Sequence, residues 1–336
     1  MNRTFLTLCV GAGLIFNCCS PDALDEEISE LSSTSLIEGK VSIADGRLKV
    51  VSLTDWEWLT SHDQEETQIQ LLSELGSKRD FTSLLAVVED AEVAKSYISK
   101  GGRVLDTDGL LVDEFFYSLL TPEGLIELGP YLVKVNLKQE EVFVLRSEDI
   151  AGHKASLLNE DTTDPAVIYF TFEDDVVDNL MSGNLESSNR TEWCNGDNTR
   201  QIEVDKFYRY GSSTLYNSCA TQICMRYRAY HGYFKGGIYF SLKSRGEHHE
   251  MNQGIAIRKN AYIRITSNWN YTIKCASQGN GDMTFNNSGQ SYNLVVTAYS
   301  GINKLSYYRM NTDYYFFNNV NTGGVNVIWS GSLLGI

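Results

Sequence analysis

The hydrophobic pattern of this chain changes near its middle. In residues 41–146, apolar side chains recur at helical spacing in some stretches and alternate with polar side chains in others. Apolar residues three or four positions apart favour a helix, whereas strict alternation favours a strand. Helices are predicted over residues 64–76, 91–99 and 113–120, and strands over residues 41–51, 125–136 and 141–146. This segment is therefore predicted to be a small α+β domain, in which Asp45-Gly46 turns the first hairpin and Asp55 caps the next helix.

After residue 200, short alternating stretches separated by turn residues dominate the pattern. Strands are predicted over residues 225–234, 238–242, 261–267, 269–275, 292–299, 304–310, 314–317 and 325–329. Many short strands with few helix signals indicate an antiparallel sandwich or barrel. The predicted fold is an α+β N-terminal region followed by an all-β antiparallel sandwich or barrel over residues 201–336. Residues 147–200 are predicted to connect the two, with one strand at 166–172 and an acidic loop.

The first forty residues are organised as an export signal followed by a tether. Arg3 precedes an apolar run over residues 6–16 that is too short to cross a bilayer as a helix. Cys18 and Cys19 follow, and either is predicted to become the lipid-modified N-terminus after cleavage. The alternative is a secretory signal without a lipid. Residues 1–19 are therefore assigned to a lipoprotein-type signal peptide, and residues 20–40 to a flexible acidic tether.

Four cysteines lie outside the signal, namely Cys194, Cys219, Cys224 and Cys275. An even number of cysteines in an exported chain predicts two disulfides, although the sequence does not choose among the three possible connectivities. Buried free thiols and a zinc site are the alternatives. A zinc ribbon usually has two close cysteine pairs, and only Cys219 and Cys224 are close here.

The formal net charge of −15 is divided unevenly along the chain. Residues 1–200 contain 15 Lys and Arg against 37 Asp and Glu, whereas residues 201–336 contain 13 against 6. Of the 38 aromatic residues, 23 also lie after residue 200. This asymmetry predicts a basic, aromatic C-terminal surface that meets an anionic partner or, alternatively, docks on the acidic N-terminal half.

The hairpin predicted around residues 235–237 offers the most specific candidate site. Alternation along its first strand places Arg226, Arg228 and Tyr230 on one face. Because an unpaired Arg is rarely buried, this face is predicted to be exposed to solvent. An acidic polysaccharide would pair with the two Arg side chains and stack on Tyr230, with affinity that falls as salt rises. An envelope protein is the alternative partner.

The sequence lacks the motifs that most often mark a catalytic site. It has no Gly-x-Ser-x-Gly elbow, no His-Glu-x-x-His and no phosphate-binding glycine loop, and no nucleophile is marked beside His153 or His231. The cluster His248-His249-Glu250 follows Gly246 and is predicted to be an exposed turn rather than a metal site. We therefore predict no catalytic residue, no metal, no cofactor and no nucleic-acid partner. A secreted hydrolase acting on glycan or peptide remains the alternative function.

Two stretches of the N-terminal half carry a family resemblance. They are Asp45-Gly46-Arg47-Leu48-Lys49-Val50 and residues 115–135, which read FFYSLLTPEGLIELGPYLVKV. Over residues 41–146 the chain resembles uncharacterised exported lipoproteins of the Bacteroidota. The resemblance implies a location, anchored by lipid to the outer membrane and facing the periplasm or the cell surface, but it implies no activity. The chain is therefore expected to be a non-catalytic envelope lipoprotein that binds a glycan or a protein.

Overall fold

In the computed structural model, the chain from Leu36 to Ile336 forms one compact unit. The structure describes residues 37, 39–185, 201–209, 215–216, 223–252, 255–273, 277–286, 292–318 and 325–335. The predicted signal peptide with Cys18 and Cys19 lies outside these residues, and so does most of the predicted tether. In the described ranges, no helix has the length and apolar character that a membrane-spanning helix needs.

The N-terminal region builds the first sheet, whose six strands lie side by side in chain order. Its strands are β1 (Val41–Ala44), β2 (Arg47–Val50), β3 (Leu125–Leu128), β4 (Tyr131–Asn136), β5 (Glu141–Arg146) and β6 (Ile168–Thr171). Only the β2–β3 pairing is parallel. Asp45 and Gly46 turn the first hairpin with positive φ angles of 49° and 70°, as the Asp-Gly signal predicts.

Seven helices accompany this sheet in the described part of the chain. They are α1 (Leu53–Thr60), α2 (Glu65–Gly76), α3 (Leu84–Glu89), α4 (Ala91–Ser99), α5 (Glu114–Leu119), α6 (Ile150–Leu158) and α7 (Val176–Ser182). The predictions over residues 64–76, 91–99 and 113–120 are confirmed by α2, α4 and α5. The predicted cap of the first helix is wrong, because Ser52 precedes α1 and its hydroxyl accepts from the Asp55 amide at 3.0 Å.

The C-terminal part builds two further antiparallel sheets. The second sheet has the order β11-β10-β9-β7-β8, and β14 also pairs with β10; the third sheet has the order β13-β12-β15-β16. The strands of the second sheet are β7 (Gln201–Arg209), β8 (Leu215–Tyr216), β9 (Cys224–Lys235), β10 (Phe240–Asn252), β11 (Ile255–Arg258) and β14 (Asn293–Gly301). Those of the third sheet are β12 (Tyr262–Ile273), β13 (Ser277–Asn286), β15 (Leu305–Asn318) and β16 (Val325–Gly335).

The second and third sheets pack face to face over a common apolar core. Tyr227 and Leu242 of the second sheet belong to the same buried cluster as Ile265, Met310 and Phe316 of the third sheet. The described strands close no barrel. Of the two predicted architectures, the structure therefore has the sandwich, in which alternate residues of each strand face inward.

The tip of the β9–β10 hairpin is buried in the core of the N-terminal region. Phe234, Ile238 and Tyr239 pack in the same cluster as Phe116, and the Tyr239 ring stacks on Phe116 with the ring centres 5.4 Å apart. The indole N–H of Trp56 donates to the Ile238 carbonyl at 2.9 Å. The α+β region and the sandwich thus share a core, which the sequence pattern alone does not indicate.

Two parts of the pattern fold differently from the prediction. The pattern predicts two strands over residues 261–275, but residues 262–273 are the single strand β12. The two strands expected over residues 304–310 and 314–317 are likewise one strand, β15. The predicted connector contains α6 and α7, and its predicted strand is β6, which pairs with β5 as the last strand of the first sheet.

Candidate functional site

The structure places the predicted Arg face on the outer side of the second sheet. Tyr227, Ala229 and Tyr233 point into the sandwich core, so Arg226, Arg228 and Tyr230 lie on the opposite face of β9. Arg226 and Arg228 are half-buried. In the register of the sheet, Arg228 lies opposite Glu247 of β10. The two arginines therefore lie in a mixed-charge environment rather than in a purely basic patch.

Tyr230 offers little surface on which a sugar could stack. It is only 9% exposed, and the guanidinium carbons of Arg245 and Arg228 lie 5.7 and 6.0 Å from its ring centre. Burial raises the pKa of its phenol above the ordinary value. The stacking role predicted for Tyr230 is therefore not supported, because the protein's own side chains enclose the ring.

Acidic groups from the N-terminal region neutralise the neighbouring cations of this face. The buried Asp113 accepts from Lys243 at 2.7 Å and from Ser241 at 2.6 Å, while it also caps α5 through the Phe116 amide. Burial alone would raise the pKa of Asp113, but the Lys243 ammonium and these hydrogen bonds outweigh it and hold the pKa below its usual value. The carboxylate is therefore charged and fully engaged.

A second set of pairs extends this contact between the two regions. Arg245 forms ion pairs with Glu114 of α5 and with Glu247, and Arg258 pairs with Glu89 at 2.9 Å. Burial raises the pKa of Glu114, and Arg245 opposes that effect. In this part of the molecule the basic half therefore packs on the acidic half, which is the alternative that the charge asymmetry predicts. We call the outer face of the second sheet the covered face.

The histidine cluster lies in a strand, so its prediction as an exposed turn is wrong. His248 lies within β10, is fully buried between the sheets, and its Nδ1 is 2.8 Å from the Lys259 carbonyl. Gly246, which suggested a turn, also lies within β10. A Cβ at Gly246 would come within 3.0 Å of Ile263 and 3.1 Å of Phe316, so this glycine allows the two sheets to approach each other.

The other histidine candidates also lack a catalytic setting. His231 is fully buried, with its Nδ1 3.3 Å from the Tyr314 hydroxyl, and burial lowers its pKa to about 4. His153 lies on α6 and pairs with Asp164 at 2.8 Å. Among the described residues, no group of three or more His, Cys, Asp or Glu side chains is arranged to hold a metal ion.

The cysteine prediction is only partly within the described chain. Cys224 is buried at the start of β9 and is disulfide-bonded. Cys194, Cys219 and Cys275 lie outside the described residues. Both the pairing and the number of disulfides therefore stay predictions.

The outer face of the third sheet is an exposed polar surface in the described part of the chain, and we call it the open face. Inward-facing residues of β12 such as Ile263 and Ile265 are buried, whereas Arg264, Asn268 and Asn270 on the other face are exposed. Rows of polar side chains cross the sheet from strand to strand. They comprise Asp282–Asn268–Asn311–Ser332, Thr284–Thr266–Asp313–Ser330 and Asn280–Asn270–Arg309.

Contacts within these rows hold the side chains in place. The Ser332 hydroxyl donates to the Asn311 amide oxygen at 2.9 Å, and the Thr284 hydroxyl donates to that of Thr266 at 3.3 Å. At one end of the face, the Arg264 guanidinium lies 4.9 Å from the centre of the Tyr315 ring. Neighbouring strands are about 4.8 Å apart, so the rows present donors and acceptors at regular intervals.

The composition of the open face is unusual for exposed strands. Its described positions include Asn268, Asn270, Asn280, Asn286 and Asn311, although asparagine is depleted in strands. Its charged residues Arg264, Arg309, Asp282 and Asp313 sum to zero. A departure from local propensity at ordered positions is expected where a residue is kept for its function.

Sequence reasoning missed this face, although the signal was present. The pattern predicts breaks between strands at Asn268 and at residues 311–313, yet both lie in the middle of long strands, and Asn268, Asn311 and Asp313 belong to the open face. Comparison of the chain with family models, with characterised proteins and with solved structures finds no significant match.

Proposed function

We propose that this protein is an exported, lipid-anchored envelope protein that binds an uncharged, hydroxyl-rich glycan on the open face of its third sheet. The observation that carries the proposal is the set of polar rows on this face, rich in amides and hydroxyls, two of which cross all four strands. Amide side chains both donate and accept hydrogen bonds, and so do the hydroxyls of a sugar. The rows therefore match the chemistry of such a polymer at several points at once.

The charge of the open face favours a neutral ligand over an acidic one. Among the described residues of this face, Arg264 and Arg309 are matched by Asp282 and Asp313, so these positions have no net charge with which to attract a polyanion. On the covered face, by contrast, Lys243 and Arg245 already have carboxylate partners. The proposed glycan site is therefore the open face of the third sheet, in place of Arg226, Arg228 and Tyr230 on the covered face.

Binding without catalysis is the function that the site supports better than hydrolysis. The buried hydroxyl cluster of Ser244, Ser267 and Thr312 lies between the sheets, where Thr312 is 2.8 Å from Ser244 and 3.0 Å from Ser267. These groups, like His231 in the same sandwich, are buried in the described structure. On the open face, the described polar groups lie on a surface rather than in a cleft that excludes water.

A glycan array tests the binding proposal on the full mature chain. We expect binding to a neutral polysaccharide that falls at least about tenfold in the double variant Asn268→Ala/Asn311→Ala, because each good hydrogen bond contributes roughly 1 kcal/mol. The matched control is Arg226→Ala/Arg228→Ala on the covered face, which should bind like the unmodified protein. Loss of binding in the control alone, or no binding to any glycan, would refute the proposal.

The lipid anchor needs its own test. Cys18 and Cys19 follow a short apolar run, and a multiply acylated N-terminus gives stable membrane attachment. Metabolic labelling with a palmitate analogue should label the unmodified chain and leave the double variant Cys18→Ser/Cys19→Ser unlabelled. Equal labelling of both proteins would contradict the anchor without touching the glycan proposal.

A further inference from the structure

The strand β13 is an edge of the third sheet. Among the described strands it pairs with β12 alone, through ten consecutive residue pairs without a bulge. Its side chains over residues 278–286 are exposed or half-buried. The outer N–H and C=O groups of such a strand form a template on which a further strand can pair.

The sequence of β13 lacks the features that usually protect an edge strand. Residues 277–286 contain no Lys, Arg or Pro, and their one charged residue is Asp282. An inward-pointing charge would also block pairing, but Asp282 lies opposite Asn268 on the open face. This regular strand can therefore accept a neighbour along most of its length.

Apolar side chains lie exposed on the inner side of the same strand. Met283 and Phe285 are opposite the buried Ser267 and Ile265 of β12, so they are on the side that faces the second sheet. Even so, they are 39% and 47% exposed, because the described strands of the second sheet do not cover them. Exposed apolar residues next to an open edge favour contact with another chain.

Two glycines leave room next to these apolar residues. A Cβ at Gly279 would come within 2.1 Å of the Tyr271 side chain, and a Cβ at Gly281 would come within 2.8 Å of the Trp269 ring. The aromatic side chains of β12 therefore lie over the glycine backbone and reach toward the edge. A methionine that arrives from beyond the edge can pack on such a ring.

We propose that β13 pairs with β13 of a second copy of this chain, antiparallel and about a two-fold axis. Opposed residues of antiparallel strands lie on the same face, so the axis must pass through a single residue position. Axes at Gly281 and Asp282 give the longest overlap. The axis at Asp282 would oppose two carboxylates and is disfavoured.

The axis at Gly281 gives a self-complementary register. It places Asn280 opposite Asp282 of the second copy, where the amide can donate to the carboxylate. It also places Met283 opposite the second copy's Gly279, within reach of the Tyr271 ring that covers this glycine. Charge and shape therefore select the same register, and they identify the partner as a second copy of this chain.

This pairing has a consequence for the open face. A two-fold axis perpendicular to the sheet keeps the open faces of both copies on the same side, so the four-stranded sheets join into one of eight strands. Each polar row that ends on β13 then continues into a row of the other copy. The dimer does not depend on the glycan proposal, but it would double the surface that a long glycan could contact.

Disulfide trapping in cells that produce the full chain tests the register. Asn280→Cys and Asp282→Cys, co-expressed as two single variants, should form a crosslinked dimer, because opposed Cα atoms lie about 4.5–5.5 Å apart. Either variant alone should crosslink at least about fivefold less, since identical positions are then diagonal neighbours about 7–8 Å apart. The matched control co-expresses Asn280→Cys with Asp313→Cys, which lies in mid-sheet on the open face and should not crosslink.

Charge substitutions at a second opposed pair test the strength of the dimer. Gln278 lies opposite Thr284 of the second copy, and both residues are exposed, so the fold should tolerate changes there. Sedimentation of the full mature chain in detergent should show a dimer whose dissociation constant rises at least about fivefold in Gln278→Lys/Thr284→Lys, which opposes like charges twice. The matched control Gln278→Glu/Thr284→Lys opposes unlike charges at the same positions and should dimerise at least as tightly as the unmodified chain.

Three results would overturn the inference. The first is a chain that sediments as a monomer up to about 100 μM, which is weaker than a specific dimer of this kind. The second is equal dimerisation of the Lys/Lys and Glu/Lys variants. The third is crosslinking of the control pair as strong as that of Asn280→Cys with Asp282→Cys, because the copies would then meet through another surface.

Discussion

The outer faces of the two sandwich sheets differ in what covers them: one contacts the N-terminal region, and the other is exposed. The covered face meets the N-terminal region through Asp113–Lys243, Glu114–Arg245 and Glu89–Arg258. The open face carries rows of asparagine, threonine and serine with balanced charges. The face with the stronger charge signal thus largely forms contacts within the molecule, while the face with the weaker signal is exposed in the described chain.

This difference shows how a charge asymmetry along a chain can mislead. A basic half and an acidic half of one chain are each other's nearest partners, and their attraction is strongest where contact removes water. Lys243 lies in such a place, because its nearest carboxylate, Asp113, is 3% exposed. The net positive charge of residues 201–336 therefore describes an internal contact in this part of the fold as well as a surface.

Removing the buried carboxylate should have the largest effect on stability. Asp113→Asn leaves Lys243 charged and without its carboxylate, and breaking a buried pair in this way typically costs about 3–5 kcal/mol. Urea denaturation measures the loss. The matched control is Asp313→Asn on the open face, where an exposed substitution should change stability by less than about 0.5 kcal/mol. Equal effects of the two variants would mean that the covered face is not locked by this pair.

Lowering the pH should destabilise the protein through two buried histidines in the interior of the sandwich. Burial lowers the pKa of both His231 and His248 to about 4, from an ordinary value of 6.5. The unfolded chain therefore takes up these protons first, so the stabilisation is complete above pH 6.5 and is lost as the pH falls toward 4. Between pH 7 and about pH 5, each histidine should lower the free energy of unfolding by about 2 kcal/mol.

Urea midpoints measured across this pH range test the effect of acid, with His231→Gln as the variant that should flatten the profile. An unchanged profile in His231→Gln would contradict the role of this residue. The proposed glycan would contact the open face mainly through amides and hydroxyls, which do not titrate here. Glycan affinity of the folded protein should therefore stay constant while stability falls.

The exposed pair at the edge of the covered face should have the smallest effect. Arg258 and Glu89 are 53% and 38% exposed, and pairs of this kind contribute roughly 0–1 kcal/mol. Arg258→Ala should therefore lower the free energy of unfolding by less than about 1 kcal/mol. A loss as large as that of Asp113→Asn would show that the contact between the regions is held at its edge rather than at its buried centre.

The sequence predicted those elements whose signals are local. The first hairpin follows from Asp45-Gly46, and the β9–β10 hairpin follows from the alternation around Gly236 and Gly237. Strand continuity at Asn268 was not predictable from propensity, because its stability comes from Asp282 and Asn311 on the neighbouring strands. Gly246 indicated a turn for the same reason. Its role in the structure is to leave room for Ile263 and Phe316 of the facing sheet, which the local sequence does not show.

The candidate site depended on the same long-range information. Alternation correctly placed Arg226 and Arg228 on the face of β9 that does not contain Tyr227. It could not show that Arg245 packs over the Tyr230 ring. The open face appears only when Asn268 and the segment 311–313 are recognised as strand, because the polar rows are formed by cross-strand neighbours. Residues that oppose strand formation yet lie in mid-strand were therefore the informative ones.

The salt dependence of glycan affinity tests the central claim most directly, because it separates the two faces without any mutation. The open face has no net charge, so the dissociation constant of the neutral glycan should change less than about twofold between about 50 mM and 500 mM NaCl. An affinity that falls tenfold or more over this range would mean that cations, such as Arg226 and Arg228 on the covered face, contribute much of the binding. That result would return the site to the covered face.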